Sequence, residues 1–234
     1  MTNKQEKLAY WFFRLNGFFT IQNLVIHPES QKLQKGHRQE TDVDIAGVRF
    51  PFRKELKDDP AGPMEDYKDF NIKKTLFILT EVKRTRGNFN EAWNEDNIRK
   101  ALNFAGILED PENCIKSLIS KGIYEDENIR IQLCLISSEK DPQTKFQDAL
   151  KISWKDVSDF IFDRFKKYKP QKSSHPQWEE TGQLLWELFK KLPQKPKHHD
   201  ETKLKEEFFK LISESFDLPQ HDAEQNLRSN HAQN

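Results

Sequence analysis

The sequence predicts an α/β fold: a mixed central β-sheet flanked by helices and followed by a C-terminal helical extension. Three observations predict it. Segments with apolar residues at helical spacing alternate with β-branched apolar runs in the order helix, three strands, helix, strand, helix, a succession that suits one layered sheet. Only 35% of the 234 residues are apolar and 32% are charged, yet 18 Phe and 5 Trp supply a large burial area per side chain. Beyond about Lys169 the composition turns to Pro, Lys, His and Ser, interrupted by two short helical patterns, and this shift sets the extension apart.

The first helix is predicted from about Asn3 to Asn16, where Leu8, Ala9, Phe12, Phe13 and Leu15 form one face and Gly17 stands where helices often end. A strand follows over Phe18 to His27, closed by Pro28, and a polar loop covers Glu29 to Gln39. Glu40 to Phe50 (ETDVDIAGVRF) is a second strand, rich in β-branched residues. The connection from Pro51 to Lys73 is too polar for a core element and longer than most connections, which marks it as functional or mobile. The third strand, Lys74 to Lys83 (KTLFILTEVK), is the most apolar. A helix from about Glu91 to Leu108 aligns Ile98, Ala101, Leu102, Ala105 and Leu108 on one stripe. Asn128 to Ser137 reads as a fourth strand and Ala149 to Ser153 as a fifth, leading into a helix through Tyr168. Residues 1–169 thus form the main domain, and 170–216 are a linker with helices at Gln183 to Leu192 and Leu204 to Phe216. Residues 217–234 form a tail with too little apolar content to offset its ordering entropy. The Leu204 to Phe216 helix is amphipathic, which suits packing in a homodimer or on a partner protein.

Lys+Arg and Asp+Glu are both 38, so the chain is formally neutral and is neither a polybasic coat for nucleic acid nor an acidic mimic. Any nucleic-acid affinity must come from a local patch. No apolar run approaches the roughly 18 residues of a membrane span, and the polar start lacks a signal-peptide core, so no membrane association and a cytoplasmic location are expected. Cys114 and Cys134 show neither a disulfide framework nor zinc-ligand spacing. No Gly-x-Ser-x-Gly elbow or phosphate-binding Gly-rich loop is present, which disfavours a serine hydrolase and an NTPase.

Chemistry concentrates on two strands. Asp42 and Asp44 lie two apart in the second, and Glu81 and Lys83 two apart at the end of the third, so each pair shares a face of its strand. If the strands are neighbours, all four converge in an apolar setting. Two carboxylates at ~4 Å repel by about 4 kcal/mol at an effective dielectric near 20. One lysine cannot neutralise three acids, whereas a hard divalent cation held by carboxylates, phosphate and water relieves the repulsion, and Mg²⁺ is the simplest choice. The acid-x-Lys pattern also occurs at Glu55-Lys57, Asp66-Lys68 and Glu201-Lys203, but only Glu81-Lys83 ends a long apolar strand.

Asp44, followed by Glu81-Val82-Lys83 on the next strand and then a helix, resembles the PD-(D/E)XK nuclease superfamily. The resemblance spans about residues 4 to 168 and implies a restriction-endonuclease-like core and a metal-dependent endonuclease, with DNA favoured over RNA, of a kind found in bacterial defence and repair. It implies that Asp44, Glu81 and the Val82 carbonyl bind Mg²⁺, with Mn²⁺ as a substitute, and that Lys83 positions the attacking water or stabilises charge on the phosphate. Asp42 stands where some members carry a further acid, although it also suits a strand edge where it meets only water or Lys83. Glu6 stands where many members carry a helical glutamate, but a first-turn acid favouring the helix dipole reads equally well. Arg84, Arg86 and Asn88 after the third strand, with Arg99 and Lys100 on the next helix, are the candidates for phosphate contacts. Val43 replaces the usual proline before the aspartate, and the long 51–73 connection is positioned to cover or extend the site. A non-catalytic subunit that keeps this fold to bind nucleic acid or protein is the reading from a different class.

Overall fold

A computed structural model describes residues 3–26, 41–56, 66–139, 141–174, 176, 178–193 and 200–219; the side chains of Ile26, Thr41 and Asp42 lie outside that description. The predicted 29–39 loop, much of the 51–73 connection and the 220–234 part of the tail fall outside it too. Helix α1 (Lys4–Leu15) begins at Asn3, whose side chain accepts an amide of the first turn while Glu6 bonds back to the Asn3 amide. Strands β1 (Phe19–Ile26), β2 (Thr41–Arg49) and β3 (Thr75–Val82) follow. Next come α2 (Glu95–Ala105), α3 (Glu112–Lys121), β4 (Ile123–Glu125), β5 (Ile129–Ser137) and β6 (Leu150–Ser153). The described chain closes with α4 (Trp154–Lys167), the short α5 (Lys169–Lys172), α6 (Glu180–Lys191) and α7 (Glu201–Phe216).

The strands make one six-stranded sheet in the order β1-β2-β3-β5-β4, with β6 also paired to β5. β1, β2 and β3 are successively antiparallel, whereas β3 pairs with β5 in parallel, as does β6. The fold is therefore α/β with a mixed sheet flanked by helices. The continuous apolar run of β3 is explained by cover on both faces. Leu76 and Ile78 enter a core built with α1, α4, α6 and α7, while Phe77 and Leu79 enter a second core built with α2 and α3. Each such side chain contributes about 1.5–3 kcal/mol on burial.

Three features differ from the sequence expectation. Helix α2 starts four residues later than Glu91 because Asn94 caps it, accepting the Asn97 amide at 3.1 Å, and the residues before it form a turn. Helix α3 and the three-residue β4 occupy a stretch to which periodicity assigns no element. Their clearest local mark is Gly122 after α3, at φ 90° with the Phe146 and Ala149 Cβ positions within 3.0 Å of where its own Cβ would stand. Finally, α7 does not hold its apolar stripe open for a partner. Phe208, Phe209, Ile212 and Phe216 are buried in the same core as α1 and α4, with the Phe162 and Phe208 rings 5.9 Å apart.

The end of α7 is bound to elements far from it in sequence. Gln5 Nε2 donates to the Phe216 carbonyl at 2.6 Å, Arg84 Nε donates to the Asp217 carbonyl at 2.7 Å, and Lys4 pairs with the Asp217 carboxylate at 3.0 Å. Cations are favoured there by the partial negative charge of a helix C-terminus. Among the described residues, no helix is long and apolar enough to cross a membrane.

Candidate active site

The β2–β3 ladder runs from Arg49↔Leu76 to Ile45↔Thr80, so one further step sets Asp44 opposite Glu81. At that step a side chain takes over from the backbone: Asp44 Oδ2 accepts the Val82 amide at 2.6 Å. The neighbouring ladder is irregular at the same place. The β1–β2 register passes from Gln22↔Ile45 to Leu24↔Val43, and Asn23 between them has φ 51°, a left-handed conformation that asparagine tolerates better than most residues. Val43 and Ile45, which a regular strand would place on one face, lie in opposite cores. Strand β2 thus turns over at Asp44, and its carboxylate meets the end of β3.

Glu81 is only 3% exposed, on the α2 side of the sheet. An unpaired carboxylate there would be costly. It is not unpaired: Trp93 Nε1 donates to Oε2 at 2.6 Å, Asn90 Nδ2 donates to Oε1 at 3.1 Å, and Lys83 Nζ forms an ion pair with Oε1. Lys83 continues the parallel ladder, its amide donating to the Ile136 carbonyl at 2.8 Å, while its own carbonyl accepts Trp154 Nε1 at 3.0 Å. The backbone of Lys83 is therefore fixed and its ammonium group partly exposed. Gly87 lies against its stem: a Cβ there would stand 2.9 Å from Lys83 Cγ.

The structure thus brings Asp44, Glu81, Val82 and Lys83 to one strand end. Asp42 pairs through its backbone with Val25, and its side chain lies outside the described residues. Glu6 closes the capping box of α1, at 3.4 Å from the Asn3 amide. Most of the expected phosphate contacts are engaged within the chain. Arg84 holds the Asp217 carbonyl, and Asn88 donates to the Gln143 carbonyl at 2.9 Å. Arg99 pairs with Glu95 at 3.0 Å and with Glu112, and Lys100 pairs with Asp96 at 2.6 Å. Arg86 is exposed on the turn after β3. Asn90 and Trp93 are residues of the site that sequence reasoning missed; a tryptophan buried at 3% reads as core until the partner of its N–H is known.

The donor chemistry suits a hard cation: two carboxylates at the adjoining ends of adjacent strands, with no sulfur or imidazole beside them among the described residues. Among the described residues Glu81 Oε2 accepts only from Trp93 and keeps acceptor capacity. Among the described residues no group of three or more His, Cys, Asp or Glu side chains converges on a metal position, so further ligands would come from the Val82 carbonyl, water or substrate.

A second charged cluster contrasts with this one. Asp66 Oδ2 accepts Arg49 Nη2 at 2.6 Å, and its Oδ1 accepts Arg53 Nη1 at 2.8 Å and Arg164 Nη2 at 2.5 Å. Glu55 pairs with Arg164, Arg53 and Lys172. Burial pushes the Glu55 carboxyl up, but the Lys172 bond and the charges of Lys172, Arg164 and Arg53 outweigh it and hold it below its ordinary value. Two other acid-x-Lys patterns, at Glu55 and Asp66, therefore have their acids in a structural network that ties β2 to α4 and α5.

Compared with known proteins, the chain matches no family model, no curated protein and no solved structure.

Proposed function

We propose that the chain is a metal-dependent nuclease of the PD-(D/E)XK kind, hydrolysing phosphodiester bonds with DNA as its substrate. One observation carries this reading: Asp44 on β2 reaches at 2.6 Å the amide of Val82, the residue that separates Glu81 from its ion-pair partner Lys83 in sequence. A structural ion pair needs only Glu81 and Lys83, whereas here an additional carboxylate is brought to them by a strand that departs from regular geometry to deliver it.

Mg²⁺ held by Asp44, Glu81 and the Val82 carbonyl would supply Lewis-acid stabilisation of the charge that develops on the phosphate. Glu81, with both oxygens already bonded, presents a fixed and dehydrated carboxylate. Lys83 is the mobile cation, its backbone pinned on both sides and its ammonium group tethered to Glu81 until a phosphate oxygen or the attacking water competes for it. Arg86, exposed beyond Lys83, is placed to meet a flanking phosphate.

The test is incubation of the purified chain with supercoiled plasmid and Mg²⁺ or Mn²⁺, beside EDTA and Lys83→Ala controls. Nicked and linear products that disappear with EDTA and in Lys83→Ala support the nuclease. Absence of cutting, together with no thermal response to Mn²⁺ or Ca²⁺, refutes it and favours a non-catalytic binding subunit.

A further inference from the structure

The geometry assigns Trp93 and Asn90 as positioning residues for the Glu81 carboxylate, setting the oxygen it offers to a divalent cation; this rests on the nuclease reading above. Three donors converge on Glu81, and they are divided unequally. Lys83 and Asn90 share Oε1, while among the described residues Trp93 alone occupies Oε2. A carboxylate oxygen has about two acceptor sites, so Oε2 is the oxygen with room for a cation and the indole decides where it lies.

Both positioning groups are themselves immobilised. The Trp93 ring packs edge-on against Phe89, centroids 5.2 Å apart, and its backbone carbonyl accepts Lys145 Nζ at 2.9 Å. Asn90 Oδ1 accepts the Ala92 amide at 2.9 Å, which leaves its NH₂ as the end facing Glu81. Neutralising a buried glutamate requires only Lys83. Two further neutral donors on a turn anchored elsewhere, ahead of the Asn94 cap of α2, add direction rather than charge. Partners that orient a metal-binding carboxylate in this way typically control affinity by 10–100-fold.

The experiment is a calorimetric Mn²⁺ titration of the full chain, with the site defined as the binding event that Asp44→Ala removes. Trp93→Phe keeps most of the ring volume and removes the N–H. Asn90→Ala acts at an exposed position outside both buried cores. Phe89→Leu disturbs the same aromatic packing without touching Glu81. Both Trp93→Phe and Asn90→Ala should weaken Mn²⁺ binding about 10-fold or more, and plasmid cutting lost at low Mn²⁺ should return at high Mn²⁺. Phe89→Leu, which loosens the ring packing but keeps the indole N–H, should weaken Mn²⁺ binding less than Trp93→Phe does. If Asn90→Ala and Trp93→Phe bind Mn²⁺ as the parent does, or if Phe89→Leu weakens it equally, the positioning role is overturned while the nuclease reading stands. If no Mn²⁺ binding depends on Asp44, both are overturned.

Discussion

Replacing Asp66 by asparagine tests whether the second charged cluster is structural, and its expected size follows from the contacts. The substitution keeps the shape and removes the charge that faces three guanidinium groups. Arg49 is 0% exposed and would be left with neutral acceptors, the Asn16 carbonyl at 3.1 Å and at most the one amide oxygen that the substitution retains. Arg164, 3% exposed, would keep Glu55. Removing one partner of a buried ion pair costs about 3–5 kcal/mol because a charge is left uncompensated. For a chain of this length each kcal/mol moves the melting temperature by about 2–4 °C, so Asp66→Asn should melt about 6–20 °C lower. That is a large part of a total stability of about 5–15 kcal/mol. Urea unfolding followed by tryptophan fluorescence provides the measurement. A second substitution, Arg49→Met, made in the Asp66→Asn background, should recover part of the loss by removing the stranded charge. A loss below about 1 kcal/mol, or further destabilisation by Arg49→Met, would refute the reasoning. The metal response of folded Asp66→Asn should match that of the parent chain, since the two clusters share no residue.

Other expectations follow from the same structure. Gly182→Ala would place a Cβ 2.2 Å from Trp11 Cζ2, in a ring that is 1% exposed and cannot withdraw, so an overpacking cost of about 3 kcal/mol should exceed the ~1 kcal/mol gained in helix propensity, and thermal melting should fall. Glu55 titrates below its ordinary 4.5 in the folded chain, so its contribution is present above that value and is lost as pH falls through the folded-state value. Glu55→Gln should therefore flatten the acid limb of a stability-against-pH curve, and an unchanged limb would contradict the network. Arg86→Ala should weaken DNA binding measured by fluorescence anisotropy and reduce its salt slope by about one, and an unchanged slope would remove Arg86 from the phosphate contacts.

The central strands were legible because burial on both faces leaves an unmistakable apolar run, as in Leu76 to Leu79. The acid-x-Lys pair at Glu81 was legible for the same reason: charge at the end of such a run is out of place. The turn at Asp44 was not, since it coincides with a left-handed Asn23 on the neighbouring strand, an irregularity that residue pattern does not mark. Nor were the Trp93 and Asn90 contacts, because the partner of an indole or amide N–H is set by tertiary structure. The pairing of Arg99 and Lys100 could be read: Glu95 and Asp96 stand four residues earlier on the same helix, the spacing at which opposite charges meet. The docking of α6 and α7 was hidden by the linker composition before each, which reports how a chain connects and not where it packs.

The bonds at the end of α7 impose an order on biosynthesis. Gln5 and Lys4 leave the ribosome more than 200 residues ahead of Phe216 and Asp217. Until they arrive, the apolar faces of α1 and α4 that receive α6 and α7 stand bare to water, and Arg84, next to the proposed catalytic lysine, lacks its carbonyl partner. Contacts so distant in sequence form late, after the loop-closure entropy of the whole intervening chain has been overcome. A nascent chain therefore carries its strand-end carboxylates well before it carries α7, the helix that closes the core behind them.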